Sequence, residues 1–121
     1  MGKLIVKIFV DSDSKNELIS LMDGMNFENK NSFEVDIVKN NDFDKSKRED
    51  FPDGFLYFPF LVEFYSSDRN VIESDINNTI LLLTELWKNN IPAIASCDFE
   101  TFLPEKGGYK STNINYQINK K

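Results

Sequence analysis

Histidine is absent from this chain of 121 residues, and cysteine occurs once, at Cys97. The first absence removes Ser-His-Asp and Cys-His nucleophile systems and every zinc site that needs an imidazole. The second excludes an intrachain disulfide and a thiolate-rich metal site, so nothing ties the chain to an oxidising compartment. Long apolar runs are missing as well. Met1 to Val10 is interrupted by Lys3 and Lys7, which leaves it too short and too charged for a secretory h-region or a membrane span. The expected location is the cytoplasm. A basic footprint is lacking too: 14 Lys and Arg against 20 Asp and Glu give a net charge of −6. Phosphate backbones are bound through Lys and Arg that displace counterions, so nucleic acid is set aside as a partner. An acidic surface suits a basic protein instead.

What remains is the composition of a globular domain. The 11 Phe, 4 Tyr and 1 Trp supply the buried aromatic surface that offsets chain entropy. The length suits one domain, residues 1–121, with residues 109–121 reading as a polar tail. Asn occurs 14 times, which reads as a tolerant surface.

Lys3 to Val10 alternates with period two, Leu4, Val6, Ile8 and Val10 on one side and Lys3, Ile5, Lys7 and Phe9 on the other, and predicts a strand. Ser14 and Glu17 have capping-box spacing. Leu18, Leu21, Met22 and Met25 follow at helical spacing, with Gly24 at the stop. Phe33, Val35 and Ile37 alternate with Glu34 and Asp36 as a half-buried second strand. Asn40 to Gly54 is a charged loop ending in a Pro52-Asp53-Gly54 turn. Phe55 to Tyr65 reads as a third strand, with Leu56, Phe58, Phe60, Val62 and Phe64 inward and Tyr57, Pro59, Leu61, Glu63 and Tyr65 outward. Ile72, Ile76, Ile80, Leu83 and Trp87 mark the stripe of a second helix, flanked by Leu82 and Leu86 and ended at Asn89 and Asn90. Ile91 to Cys97 is a short last strand. This βαββαβ order predicts a ferredoxin-like α+β fold, a four-stranded antiparallel sheet with both helices on one face. Pro59 conflicts with it. The third strand is central in that sheet, and proline cannot donate to a ladder, so either a bulge sits at Pro59 or the strand lies at an edge in another topology.

Without histidine or a second thiol, only carboxylate chemistry is left to an enzyme. Asp11-Ser12-Asp13 after a strand imitates the opening of a haloacid-dehalogenase-type phosphatase, but no second acidic pair follows a later strand. Capping of a helix start explains the same residues. The acids of the 42–53 loop fail calcium-loop spacing and are interleaved with Lys45, Lys47 and Arg48. Lys106-Gly107-Gly108-Tyr109 lacks the following helix that a phosphate cradle uses. Cys97 reads as a small apolar filler near a strand end. No catalytic residue, cofactor or metal is implied. On the sheet face away from the helices, Ile5 and Phe9 are expected beside Tyr57, Leu61 and Tyr65. RNA-recognition domains stack bases on such a face, but the charge here is of the wrong sign. A protein interface, or coverage by Tyr109 to Ile118, is the alternative use of an apolar patch.

Three runs carry a resemblance. They are Asp42-Phe43-Asp44, Phe51-Pro52-Asp53-Gly54-Phe55-Leu56-Tyr57-Phe58-Pro59, and the stretch from Trp87 through Ile91-Pro92-Ala93-Ile94-Ala95, Cys97-Asp98-Phe99-Glu100 and Leu103-Pro104 to Gly107-Gly108-Tyr109. The chain resembles in these runs a group of small bacterial α/β proteins, similar in size and type to the immunity proteins that neutralise a toxin by covering its active site. The resemblance implies a non-enzymatic binding module whose partner is another protein, a basic toxin. Charge would come from Asp42, Asp44, Glu49, Asp50, Asp53, Asp98 and Glu100, and aromatic burial from Tyr57, Tyr65 and Tyr109. The competing expectation is a small-molecule-sensing regulatory domain, since ferredoxin-like domains often pair edge to edge as homodimers and bind ligands between subunits.

Overall fold

The computed structural model describes residues 3–28, 33–46, 54–66, 72–99 and 102–104. Four strands and two helices follow in the order β1 (Lys3–Val10), α1 (Lys15–Asp23), β2 (Phe33–Lys39), a 3-10 turn (Gly54–Tyr57), β3 (Phe60–Ser66), α2 (Ile72–Lys88) and β4 (Ala93–Cys97). The strands form one antiparallel sheet in the order β2-β3-β1-β4. With β1 and β3 central and each helix crossing between non-adjacent strands, this is the ferredoxin-like α+β arrangement.

Both helices lie on the same face. Leu18 and Met22 of α1 and Leu82, Leu83 and Leu86 of α2 join Val6, Ile8, Val10, Val62, Phe64, Ala93 and Ala95 in one buried cluster. At the β2 end the rings of Phe27, Phe33 and Phe64 close the core, with centroids 4.8–5.8 Å apart in tilted or edge-on contacts. Such geometry sets the positive rim of one ring against the negative face of another.

The helix ends are capped as their sequences allow. The Ser14 hydroxyl accepts the Glu17 amide at 3.1 Å. The reciprocal half of the capping box is rerouted: the Ser12 hydroxyl donates to the Glu17 carboxylate and accepts the Ser14 amide. The Asp11-Ser12-Asp13 segment thus starts a helix. Asn90 ends α2 in the left-handed region, at φ 62°. Its amide donates to the Trp87 carbonyl and that of Ile91 to Leu86, a Schellman closure for which Asn is a tolerated residue.

Three inward-facing assignments differ from the sequence pattern. In β1 the register with β3 shifts between Leu4 and Val6. This bulge turns Leu4 outward, 36% exposed, and lets Ile5 pack against the helix-side core. A bulge reverses alternation on one side of itself, which period-two patterning cannot reveal. In α2 the buried line runs through Asp75, Asn78, Thr79, Leu82, Leu83 and Leu86, while Ile76, Ile80 and Trp87 flank it half-buried. Polar side chains hold part of that line because they are bonded there. The Asn78 carboxamide accepts the Glu28 amide at 2.7 Å and donates to its carbonyl at 3.1 Å, and the Thr79 hydroxyl donates to the Asp75 carbonyl.

The third difference resolves the proline conflict. β3 begins at Phe60, so Pro59 stands before the ladder, where no amide is required. Phe60, Val62 and Phe64 face the helices, but the two preceding apolar residues do not continue the series. Leu56 is 41% exposed, and Phe58 is wholly buried on the other face against Ile94 and Phe9. The proline redirects the chain beneath the sheet.

Phe58→Ala is expected to lower the free energy of unfolding by about 3–5 kcal/mol, and Leu56→Ser to change it by less than about 0.5 kcal/mol. Urea denaturation of the two variants checks this. Equal losses would place both side chains in the helix-side core.

Candidate protein-binding face

The strand registers fix what stands on the face away from the helices. One row runs Glu34, Tyr65, Leu4. The next runs Asp36, Glu63, Lys7, Ser96, and the third Val38, Leu61, Phe9, Ile94. The face is therefore acidic toward β2 and apolar at the end where β2 runs into the 40–59 connection. Lys7 stands directly across from Glu63, a pairing that offsets one carboxylate and leaves Glu34 and Asp36 outside it.

The third row is roofed by the connection itself, and Asn40 fixes the roof. Its side chain is buried, and its Nδ2 donates to the carbonyls of Leu56 at 3.0 Å and Phe58 at 2.7 Å. Its Oδ1 accepts the Asp42 amide at 3.0 Å, and its own amide donates to the Pro59 carbonyl at 2.9 Å. One side chain thus ties both ends of the connection together beneath the sheet. Between roof and sheet lies a cavity of about 410 Å³, lined by Lys7, Phe9, Asn40, Asp42, Leu56, Tyr57 and Leu61.

Of the ten residues expected to bind a partner, Asp42 and Tyr57 meet in this cavity. Tyr65 shares the face, in the row beyond Lys7. Asp44 is half-buried and turned to local use: its Oδ1 accepts the amide and hydroxyl of Ser46 at 2.9 and 2.6 Å. Asp98 is exposed just beyond Cys97, which pairs with Val6, and so sits at the end of the sheet remote from Asp42. The structure does not bring those two charges together. Glu49, Asp50, Asp53, Glu100 and Tyr109 lie outside the described residues, as does the 109–121 tail. Ile5, expected on this face, is removed from it by the β1 bulge. Glu34, Asp36, Glu63, Leu56 and Asn40 belong to the face or its roof and were not among the residues expected to bind; Leu56 was expected inward and Asn40 on the surface. The polar parity of the three acids was visible in their strands, whereas the pairing that gathers them was not.

Tyr65 and Glu63 are bonded, the phenol donating to Glu63 Oε1 at 2.9 Å. That hydrogen bond, partial desolvation and the charges of Glu63 and Asp36 all hold the Tyr65 hydroxyl above its ordinary value of 10.0. Among the described residues, no three Asp, Glu or Cys side chains converge in a way that could hold a metal ion. No helix among them is long and apolar enough to cross a membrane. No family model matches the chain, and neither a curated protein nor a solved structure matches it.

Two outcomes follow from these bonds. Asn40→Ala is expected to cost about 2–3 kcal/mol by stranding the buried Phe58 carbonyl. Asn40→Asp should cost more at neutral pH, because a carboxylate cannot donate and repels both carbonyls. Denaturation of the pair checks this, and a harmless Asn40→Asp would deny the donor role. For Tyr65, ionisation opposes the bond to Glu63. The bond's contribution is thus intact below the ordinary tyrosine value and is lost as pH rises through the raised one. Ring-carbon NMR titration should place Tyr65 above the ordinary value, and Glu63→Gln should bring it down.

Proposed function

We propose that this chain is a non-enzymatic protein-binding module that captures a basic partner on the open face of its sheet. In line with the resemblance to immunity proteins, we take that partner to be a bacterial toxin that the chain inhibits. The carrying observation is the face itself, where Phe9, Leu61, Leu56 and Tyr57 share a cavity with Asp42 and Lys7, and Glu63, Asp36 and Glu34 stand in the rows to one side. Aromatic and aliphatic anchors ringed by charge are the arrangement from which interfaces draw affinity at the centre and association rate at the rim. A net charge of −6 favours encounter with a basic surface.

A second reading has an observation of its own. A cavity of about 410 Å³ falls in the range of roughly 300–1,000 Å³ that small-molecule sites occupy, as a ligand-sensing regulatory domain requires. Thermal shift against a metabolite library, with Leu56→Trp to fill the space, discriminates the two. A ligand whose stabilisation vanishes in that variant supports sensing.

For the protein-binding reading, parallel capture from source-cell lysate with the native chain and an Asp42→Lys/Tyr57→Ala chain supplies the test. A basic protein retained by the first and lost from the second is expected. Tyr57→Ala alone should weaken its binding by about 2 kcal/mol, and rising salt should slow association. If that protein is a toxin, co-expression of the chain should restore growth. Identical captures by the two baits would overturn the assignment to this face.

A further inference from the structure

The two edges of the sheet are finished differently. On β4, the Asp11 amide of the β1 strand end donates to the Pro92 carbonyl at 2.8 Å, so by alternation the Ala93 carbonyl points away from β1. There the Trp87 indole donates to it at 3.0 Å, so α2 satisfies the first outward carbonyl of this edge. On β2, the bond from the Asn40 amide to the Pro59 carbonyl commits the even-numbered residues 34, 36 and 38 to β3. The amides and carbonyls of Val35 and Ile37 then point outward. No described segment pairs with them.

An exposed ladder edge invites another strand, and two flanking surfaces define which kind. On the helix side a groove of about 390 Å³ runs between α1 and β2, over Ile19, Met22, Phe27, Val35 and Ile37, with Asp36 at its border along the edge. Ile19 is 38% exposed there, and Lys15 and Asp23 stand at the groove with opposite charges. On the open side the edge carries Glu34 and Asp36, with Glu63 one strand further in. A strand laid against β2 presents alternate side chains to these two surfaces, one set to an apolar groove and the other to carboxylates. A second copy of the chain does not fit. In its longest antiparallel register Asp36 would face Asp36, and the strand brings no cation to the acidic side.

The geometry points to the outer edge of β2 as a β-augmentation site for an extended peptide segment in which basic and apolar residues alternate. Main-chain bonds to Val35 and Ile37 supply the pairing, and the Ile19–Phe27 groove and the Glu34/Asp36 side read the sequence. This rests on the protein-binding reading and names the form its basic partner takes at this edge.

The probe is a labelled seven-residue peptide alternating valine and lysine, matched to the seven residues of β2 and titrated into the full chain by fluorescence anisotropy. Its composition-matched block isomer, lysines first and valines after, serves as control. The alternating peptide should bind about tenfold or more tighter than the block isomer, and Asp36→Lys or Ile19→Asp should each cost a similar factor. Leu81→Ser, on the exposed side of α2, should leave this binding unchanged. Amide exchange at Val35 and Ile37 should slow on peptide addition, and a native-like amide spectrum confirms that each variant is folded. Equal affinity for the block isomer, or protection at Phe9 and Leu61 instead, would overturn the edge site. A dimer that protects Val35 and Ile37 without peptide would overturn it too. Failure here alongside a captured basic partner that needs Tyr57 leaves the protein-binding reading standing, so the two failures are distinguishable.

Discussion

The open face exists as a surface because Asn40 closes the connection between β2 and β3 from inside. A segment leaving a sheet at Lys39 and returning at Phe60 has many ways to run through solvent. Here two carbonyls of the returning arm and one amide of the leaving arm converge on a single buried carboxamide. An amide is the side chain that can donate twice and still accept. The closure forces Phe58 under the sheet, where it covers Ile94 and Phe9 and contributes on the order of 2–3 kcal/mol through buried apolar area. The same closure lifts Leu56 and Tyr57 to the rim of the cavity. Stability and surface shape thus share one origin.

The charge on that face is organised by register. Because β1, β3 and β2 are adjacent, Lys7, Glu63 and Asp36 fall in one row, and the cation sits at the inner end. The negative potential is pushed toward β2 and toward Asp42 at the loop. Tyr65 bounds it, since the phenol that donates to Glu63 turns the positive end of its O–H dipole toward that carboxylate. The surface is therefore graded, with Leu56 and Tyr57 at the rim of the cavity over Phe9 and Leu61 and carboxylates increasing toward β2.

Much of the fold was legible because alternation and helical spacing report which side chains avoid water. Val6, Ile8 and Val10, then Val62 and Phe64, then the leucines of α2 marked the elements and their buried sides, and the βαββαβ order with right-handed crossovers gave the sheet. What was not legible is what local pattern does not encode. The unbroken apolar parity from Leu56 to Phe64 concealed a reversal at Pro59, although the proline itself marked the place where a central strand had to begin. Asn40 and Asn78 read as polar surface because composition cannot show that a carboxamide is enclosed by backbone. For the face, single residues such as Tyr57, Tyr65 and Asp42 were recognisable as binding types. Their company, Glu34, Asp36 and Glu63, depends on cross-strand pairing, and Asp98 was grouped with them only because distance along the chain says nothing about which end of a sheet a loop occupies.

The unequal edges complete this logic. A βαββαβ sheet has two outer strands by construction, and both present unpaired ladder groups unless something intervenes. Trp87 intervenes at β4 because the Schellman turn at Asn90 brings the last turn of α2 back against Ala93. Among the described residues no equivalent pairs with β2: α1 ends at Asp23 and sets Lys15, Ile19, Met22 and Asp23 along the groove. The protection that β2 does carry is electrostatic: Glu34 and Asp36 repel another copy of the same strand while leaving the main-chain groups accessible. On the proposed reading, negative charge at this edge opposes the pairing of like strands and favours a segment that brings cations, so one feature would serve both ends.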